Sequence, residues 1–231
     1  MLKRLFLILY ILLILKFLSY SSCGENSIQK TKENTPIETF DFIEYNKRVN
    51  NDPNNGRFYT KEDGTYVEEI VVGNKKRTVR WETPPKPSFF KFYKEFYPNG
   101  NIKSIEILFG KFTKIGISSY FNREGKIIKE IDENVKFGKT KPKDILEFLE
   151  NKNRINIETG EGIFDKENKE TFKIVYNEEK NIWFVTIIKG RYYTESEMLE
   201  IMKNSRGDPN IWRPFNYEID GETGELISIE E

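Results

Sequence analysis

Two stretches, "FYPNGNIKSIEILF" (96–109) and "SYFNREGKIIKEIDEN" (119–134), follow one plan. An aromatic pair leads into turn residues, then a glycine, one further residue, and an alternating strand. Gly100 and Gly125 are 25 residues apart, and Ile102 and Ile127 keep the same interval. "FYTKEDGTYVEEI" (58–70) is an earlier copy of the plan around Gly64. Each glycine supplies the positive φ of a tight turn that lets the aromatic fold back over the following strand. A period in the twenties implies stacked hairpins, each burying an apolar face against the next. By this count the turn around Gly125 is one residue longer than the turn around Gly100.

The flanking sequence extends the β pattern. Aromatic and β-branched runs at 65–72 and 77–83 are separated by Gly73-Asn74-Lys75-Lys76, a hairpin turn by composition. Pro84-Pro85-Lys86-Pro87 breaks that unit and reads as a semi-rigid connector and internal boundary. Ahead of it, residues 37–45 carry aromatic and aliphatic side chains that suit a helix or a strand, and 46–57 form a turn-rich loop.

From Thr140 helices alternate with strands. "TKPKDILEFLENK" offers Thr140 as N-cap, a proline in the first turn, and Ile145, Leu146, Phe148 and Leu149 on one face. Strands are expected at 154–158, 170–176 and 181–189, the last two joined by a turn over 177–181. Thr194 and Glu197 form a capping box ahead of a second helix with a stripe of Met198, Leu199, Ile201 and Met202, stopped by Gly207. The C-terminal "FNYEIDGETGELISIEE" reads as a hairpin. The fold class is α+β: an antiparallel β-meander of repeated hairpins, then a helix-plus-antiparallel-sheet unit.

Cys23 is the one cysteine of the chain and closes "LILKFLSYSSC". Lys3 and Arg4 precede the apolar run Leu5–Leu15, whose eleven residues are too few to span a bilayer and suit the h-region of a signal peptide. With Ser21 and Ser22 before the cysteine, the stretch resembles a bacterial lipoprotein signal peptide, with Tyr20 where an aliphatic residue or alanine is usual. The resemblance implies cleavage after residue 22 and acylation of Cys23, with the two or more chains that stable anchoring needs. An uncleaved signal anchor, or a secretory signal with a free thiol, are the alternatives. Residues 23–36 are polar and aperiodic and read as a flexible tether.

Two further resemblances concern the body. Phe96 to Lys103 looks like the MORN-repeat variant, aromatic-x-Asn-Gly-x-Leu/Ile-Lys, with Tyr120–Lys129 a looser copy. It implies an antiparallel meander and a non-enzymatic scaffold, in a family whose exported bacterial members include antitoxin-like proteins. Tyr217 to Ile227 is similar to the close of a PepSY-type domain, which implies a unit over 140–231 associated with peptidase inhibition or partner binding, and in which Asp220, Thr223 and Gly224 shape a turn. The organisation expected is therefore signal peptide 1–22, lipidated tether 23–36, a β-rich repeat region 37–139, and a PepSY-like region 140–231.

Composition narrows function by exclusion. The chain has no histidine, which removes Ser-His-Asp and Cys-His catalysis and His-ligated zinc or iron. There is no phosphate-cradling glycine motif, and no cofactor is implied. Cleavage would remove Lys3, Arg4 and Lys16, so the 37 basic residues become 34 against 37 acidic, a balance of −3 that gives no nucleic-acid footprint. The mixed charges read as a well-solvated surface. Binding is the better-supported class, because Trp, Tyr and Arg populate interface hot spots. Candidate partner-binding residues are Tyr93 and Tyr97 in "SFFKFYKEFYP", Arg191, Tyr192 and Tyr193 in "IKGRYYTES", and Trp212 and Arg213 in "NIWRPFNY". The expected protein is a membrane-anchored envelope lipoprotein with a protein partner, more specifically an immunity or inhibitor protein. The alternatives are a carboxylate-dependent glycan hydrolase and a passive structural component.

Overall fold

The computed structural model describes residues 37–164, 170–204 and 211–230. The signal, Cys23 and the tether lie outside these residues, as does Gly207. The described residues from 38 onward form one compact unit.

Seven strands form the first sheet in chain order: β1 (Phe58–Thr60), β2 (Tyr66–Val72), β3 (Arg77–Thr83), β4 (Phe90–Phe96), β5 (Ile102–Phe109), β6 (Thr113–Phe121) and β7 (Ile127–Asp132), each antiparallel to the next. The second sheet comprises β8 (Phe172–Asn177), β9 (Ile182–Tyr192), β10 (Trp212–Asp220) and β11 (Leu226–Glu230) in the order β11-β10-β9-β8. Among the described residues three α-helices accompany them: α1 (Phe42–Asn51), α2 (Pro142–Asn151) and α3 (Glu195–Asn204). The architecture is α+β with an antiparallel meander.

The three glycine turns share one hydrogen-bond pattern. Gly64, Gly100 and Gly125 donate to the carbonyls of Lys61, Tyr97 and Asn122 at 3.0, 2.9 and 3.0 Å. Those three residues in turn donate to Thr65, Asn101 and Lys126. The glycines sit at φ +85, +92 and +77°, where a Cβ is strained. The turns over 97–101 and 122–126 are therefore of equal length, which corrects the extra residue counted in the sequence. Consecutive turns of a meander alternate between its two ends. The 97–101 and 122–126 turns, two strands apart, are neighbours joined by Tyr97 Oη donating to the Phe121 carbonyl at 2.8 Å and Asn101 Nδ2 to Arg123 at 2.7 Å. Three strands separate the Gly64 turn from the Gly100 turn, so it lies at the opposite end of the sheet and does not stack with them.

Other expectations change at particular residues. The proline segment is no boundary, because β3 and β4 on either side of it pair directly from Thr78↔Phe96 to Glu82↔Phe92. Residues 42–51 are helical, with Asp41 Oδ1 accepting from the Ile43 and Glu44 amides at 2.9 Å. Residues 154–158 are not a strand. Gly160 and Gly162, at φ +67 and +88°, turn the chain back after a single bridge between Asn156 and Glu161. At α2 the cap is Lys141, whose amide donates to Asp144 Oδ2 at 2.7 Å. Thr140 is buried and tied elsewhere: its hydroxyl donates to the Asp220 carbonyl at 3.0 Å, and its own carbonyl accepts from Trp183 Nε1 at 3.1 Å. The start of α2 is thereby fastened to the turn that ends β10.

The larger core gathers Ile145 and Leu149 of α2, Ile174, Trp183, Val185, Ile187, Tyr217 and Ile219 of the second sheet, and Phe109 of β5. Trp183 is fully buried and stacks on Phe137, ring centroids 5.1 Å apart. A smaller core of Phe40, Phe96 and Ile102 seats α1 against the first sheet.

Beside that smaller core the first sheet carries buried charge, which overturns the reading of its charges as solvated. Register places Glu69, Arg80 and Lys94 side by side, and Glu82 next to Val67 and Phe92. Glu69, only 2% exposed, accepts from Arg80 Nε at 2.7 Å, from Arg48 of α1, and from the Tyr59 hydroxyl at 3.3 Å. Lys94 bridges Glu38 and Glu82, both at 2.9 Å, and Lys61 reaches Glu82 at 2.7 Å. Burial of the Glu82 carboxyl raises its pKa, but the hydrogen bonds from Lys61 and Lys94 outweigh that and hold it below the usual value.

Candidate functional site

Two of the three stretches singled out in the sequence meet at one end of the second sheet. β9 and β10 pair Tyr192 with Trp212 and Arg191 with Arg213. The rings of Tyr192 and Trp212 stack 4.0 Å apart, 25° from parallel. Both guanidiniums converge on Glu197, in the first turn of α3. Arg191 binds it in a two-pronged grip at 2.8 and 2.8 Å, and Arg213 Nη1 lies 2.6 Å from Oε1. The same carboxylate accepts from the Thr194 amide at 2.8 Å, completing the expected capping box. The Arg191 hydrogen bond, followed by those from Thr194, holds the Glu197 carboxyl far below the usual carboxylate range. Tyr193 continues the strand, its amide donating to the Ile211 carbonyl at 3.2 Å.

Beside this clamp α3 presents apolar side chains to solvent. None of its residues is buried, and Leu199 and Met202 are more than half exposed. Tyr192 (61% exposed) and Ile211 (52%) stand on the adjoining strand ends. The stripe at helical spacing is present; Met198 and Ile201 are half-buried, and among the described residues none of the four joins either core cluster.

Tyr93 and Tyr97 lie elsewhere. Tyr97 is part of the Gly100 turn, its hydroxyl committed to Phe121. Tyr93 is on the outer face of the first sheet, where register aligns Glu68, Trp81, Tyr93 and Glu106 on neighbouring strands. Trp81 and Tyr93 pack with centroids 5.4 Å apart. This face opens into a groove of about 440 Å³ lined by Tyr66, Glu68, Trp81, Thr83, Lys91, Leu108, Lys111, Phe112 and Glu170. Sequence reasoning missed it, because its walls come from four strands, the β5–β6 turn and Glu170. The available signal was the solitary Phe112 in a turn flanked by Gly110 and Lys111, an aromatic with nothing local to pack on.

The remaining singled-out residues shape turns. Asp220 Oδ1 accepts from the Glu222 and Thr223 amides at 2.8 Å each, Thr223 Oγ1 accepts from Glu225 at 3.2 Å, and Gly224 sits at φ +73°. Among the described residues no three potential metal ligands converge. The displaced carboxyl groups there, Asp52, Asp63, Glu82, Glu133, Glu197, Asp220 and Glu222, all move down. No protein-family model matches the chain, and no curated protein or solved structure is significantly similar to it.

Proposed function

We propose that this chain is a non-catalytic binding protein of the bacterial cell envelope, held at the membrane by lipid on Cys23, and that it engages a protein partner through the exposed surface of α3 and the β9–β10 end. The observation that carries the reading is the pairing of a rigid clamp with an uncovered apolar helix. Glu197 and its two arginines, with the Tyr192–Trp212 stack, immobilise the polar and aromatic part of the surface, so little side-chain entropy is lost on binding. Leu199, Met202 and Ile211 supply apolar area that gains from being covered. The composition is that of interface hot spots.

An immunity or inhibitor role is the specific form of the proposal, in line with the MORN-like hairpins and the PepSY-like C-terminal region that the sequence resembles. The test takes the full-length chain extracted from membranes, with two readouts. Mass spectrometry of the N-terminal peptide should give a diacylglyceryl Cys23, and crosslinking should give one stoichiometric partner that L199D/M202D no longer captures. An unmodified Cys23 removes the anchor from the proposal, and partner capture unaffected by L199D/M202D removes the surface.

A further inference from the structure

The groove on the outer face of the first sheet shares no residue with the α3 surface, and its chemistry points to a different kind of ligand. Its aromatic walls are accessible: Tyr66 is 42% and Phe112 67% exposed, and Trp81 lies between them in the lining. Its charges balance. Lys91 is 2.5 Å from Glu170, while among the described residues Glu68 and Lys111 carry no ion pair. Burial, and then the neighbouring Glu68 carboxylate, push the Tyr66 hydroxyl up, so it stays protonated as a donor at neutral pH. Thr83 adds a second hydroxyl. At about 440 Å³ the groove has the volume of a small-ligand site.

Three ligand classes fit this lining poorly. With Lys91 and Glu170 paired to each other, an anion would face Glu68, a cation would face Lys111, and a wholly apolar molecule would desolvate both of these charges without offering them a hydrogen bond. A neutral saccharide has one face of C–H groups to lay on an aromatic ring and a rim of hydroxyls that both donate and accept. Glu68 accepts from such hydroxyls and Lys111 donates to them, without any net charge to be matched.

We propose that the groove is a binding site for a neutral oligosaccharide, stacked on Trp81 and Phe112 and hydrogen-bonded by Glu68, Lys111 and the Tyr66 hydroxyl. The inference stands on the groove alone and is independent of the α3 surface and of the lipid anchor.

The experiment titrates the full-length chain in detergent with chitotriose, cellotriose and maltotriose, reading tryptophan fluorescence and calorimetric heat. Trp183 is fully buried and Trp212 stacks on Tyr192 at the β9–β10 end, so the fluorescence is read in a W212F background, where a ligand-dependent change reports Trp81. At least one trisaccharide should bind saturably, with a dissociation constant of about 0.1–10 mM. F112A, which removes an exposed ring and leaves Tm unchanged, should weaken that binding about tenfold, as should E68Q, whereas L199D/M202D should leave it intact. Absence of saturable binding for all three sugars up to about 20 mM overturns the proposal, and so does wild-type affinity in both F112A and E68Q.

Discussion

Replacing Glu69 by alanine would leave the Arg80 guanidinium and the inward end of Arg48 without their shared carboxylate, in a place that water reaches poorly. Glu69 and Arg80 have side chains 2% and 11% exposed, and Arg80 also lies over the rings of Phe40 and Phe96, 5.4 and 5.1 Å from their centroids. Glu38 and Glu82 stay within 3.1 and 3.8 Å of Arg80, so two carboxylates survive for that residue. Removing one member of a buried ion pair costs about 3–5 kcal/mol when the other charge is left without compensation, and the two remaining carboxylates place E69A toward the low end. E69A should fall in that range, a large share of the roughly 5–15 kcal/mol that holds a domain folded. With a urea m-value of about 2 kcal/mol/M, the unfolding midpoint drops by about 1.5–2.5 M. E69Q keeps the shape and one acceptor, and should lose less. R48A/E69A should be closer to R48A than additivity predicts, since the two residues share one interaction. The losses should change little between low and high salt, in contrast to exposed pairs such as Lys143–Glu147. A loss of under about 1 kcal/mol for E69A would refute the argument and return these charges to the surface.

Three further outcomes follow from single positions. Gly100 combines φ +92° with a position where a Cβ would lie 3.0 Å from the Phe40 carbonyl, whereas the nearest atom at Gly64 is 3.5 Å away; G100A should cost about 1–3 kcal/mol by urea unfolding, more than G64A. The Glu82 carboxyl titrates lower in the folded than in the unfolded chain, so its contribution is present above its ordinary pKa of 4.5 and is lost as pH falls through the lower folded value; E82Q should flatten the acid limb of the stability–pH curve, and an unchanged slope below pH 4.5 would count against it. T140V deletes the hydroxyl bond to Asp220 and should lower stability by about 1 kcal/mol, read as a urea midpoint shift.

Most strands, their turns and helices α2 and α3 were legible in the sequence because they depend on neighbours within a few residues, whereas α1 was not told from a strand and 154–158 was misread as one. Alternation in 88–98 separates Phe92, Lys94 and Phe96 from Lys91 and Tyr93, and the structure keeps them on opposite faces. What period two does not say is which residue stands opposite on the next strand. Glu69 meets Arg80, and Arg80 meets Lys94, only once the register is set, so three buried charges looked like solvated ones. Thr140 shows the same limit. Its position before Pro142 signals a helix start, but its hydroxyl is taken by Asp220, 80 residues away. The groove escaped notice for this reason too, its walls being distant in sequence. The convergence of Arg191, Tyr192, Trp212 and Arg213 was half visible: the residue types drew attention, and only the β9–β10 pairing joined them through Glu197.

The most direct measurement of the binding reading places a photo-crosslinking residue at position 199 on α3 and, as a control, at Ile43 on α1, which is 83% exposed. Illumination of cells carrying each full-length variant should give one discrete adduct from position 199 and none from position 43. Equal labelling from both positions, or no adduct from position 199, would contradict the claim that this surface exists to hold a partner.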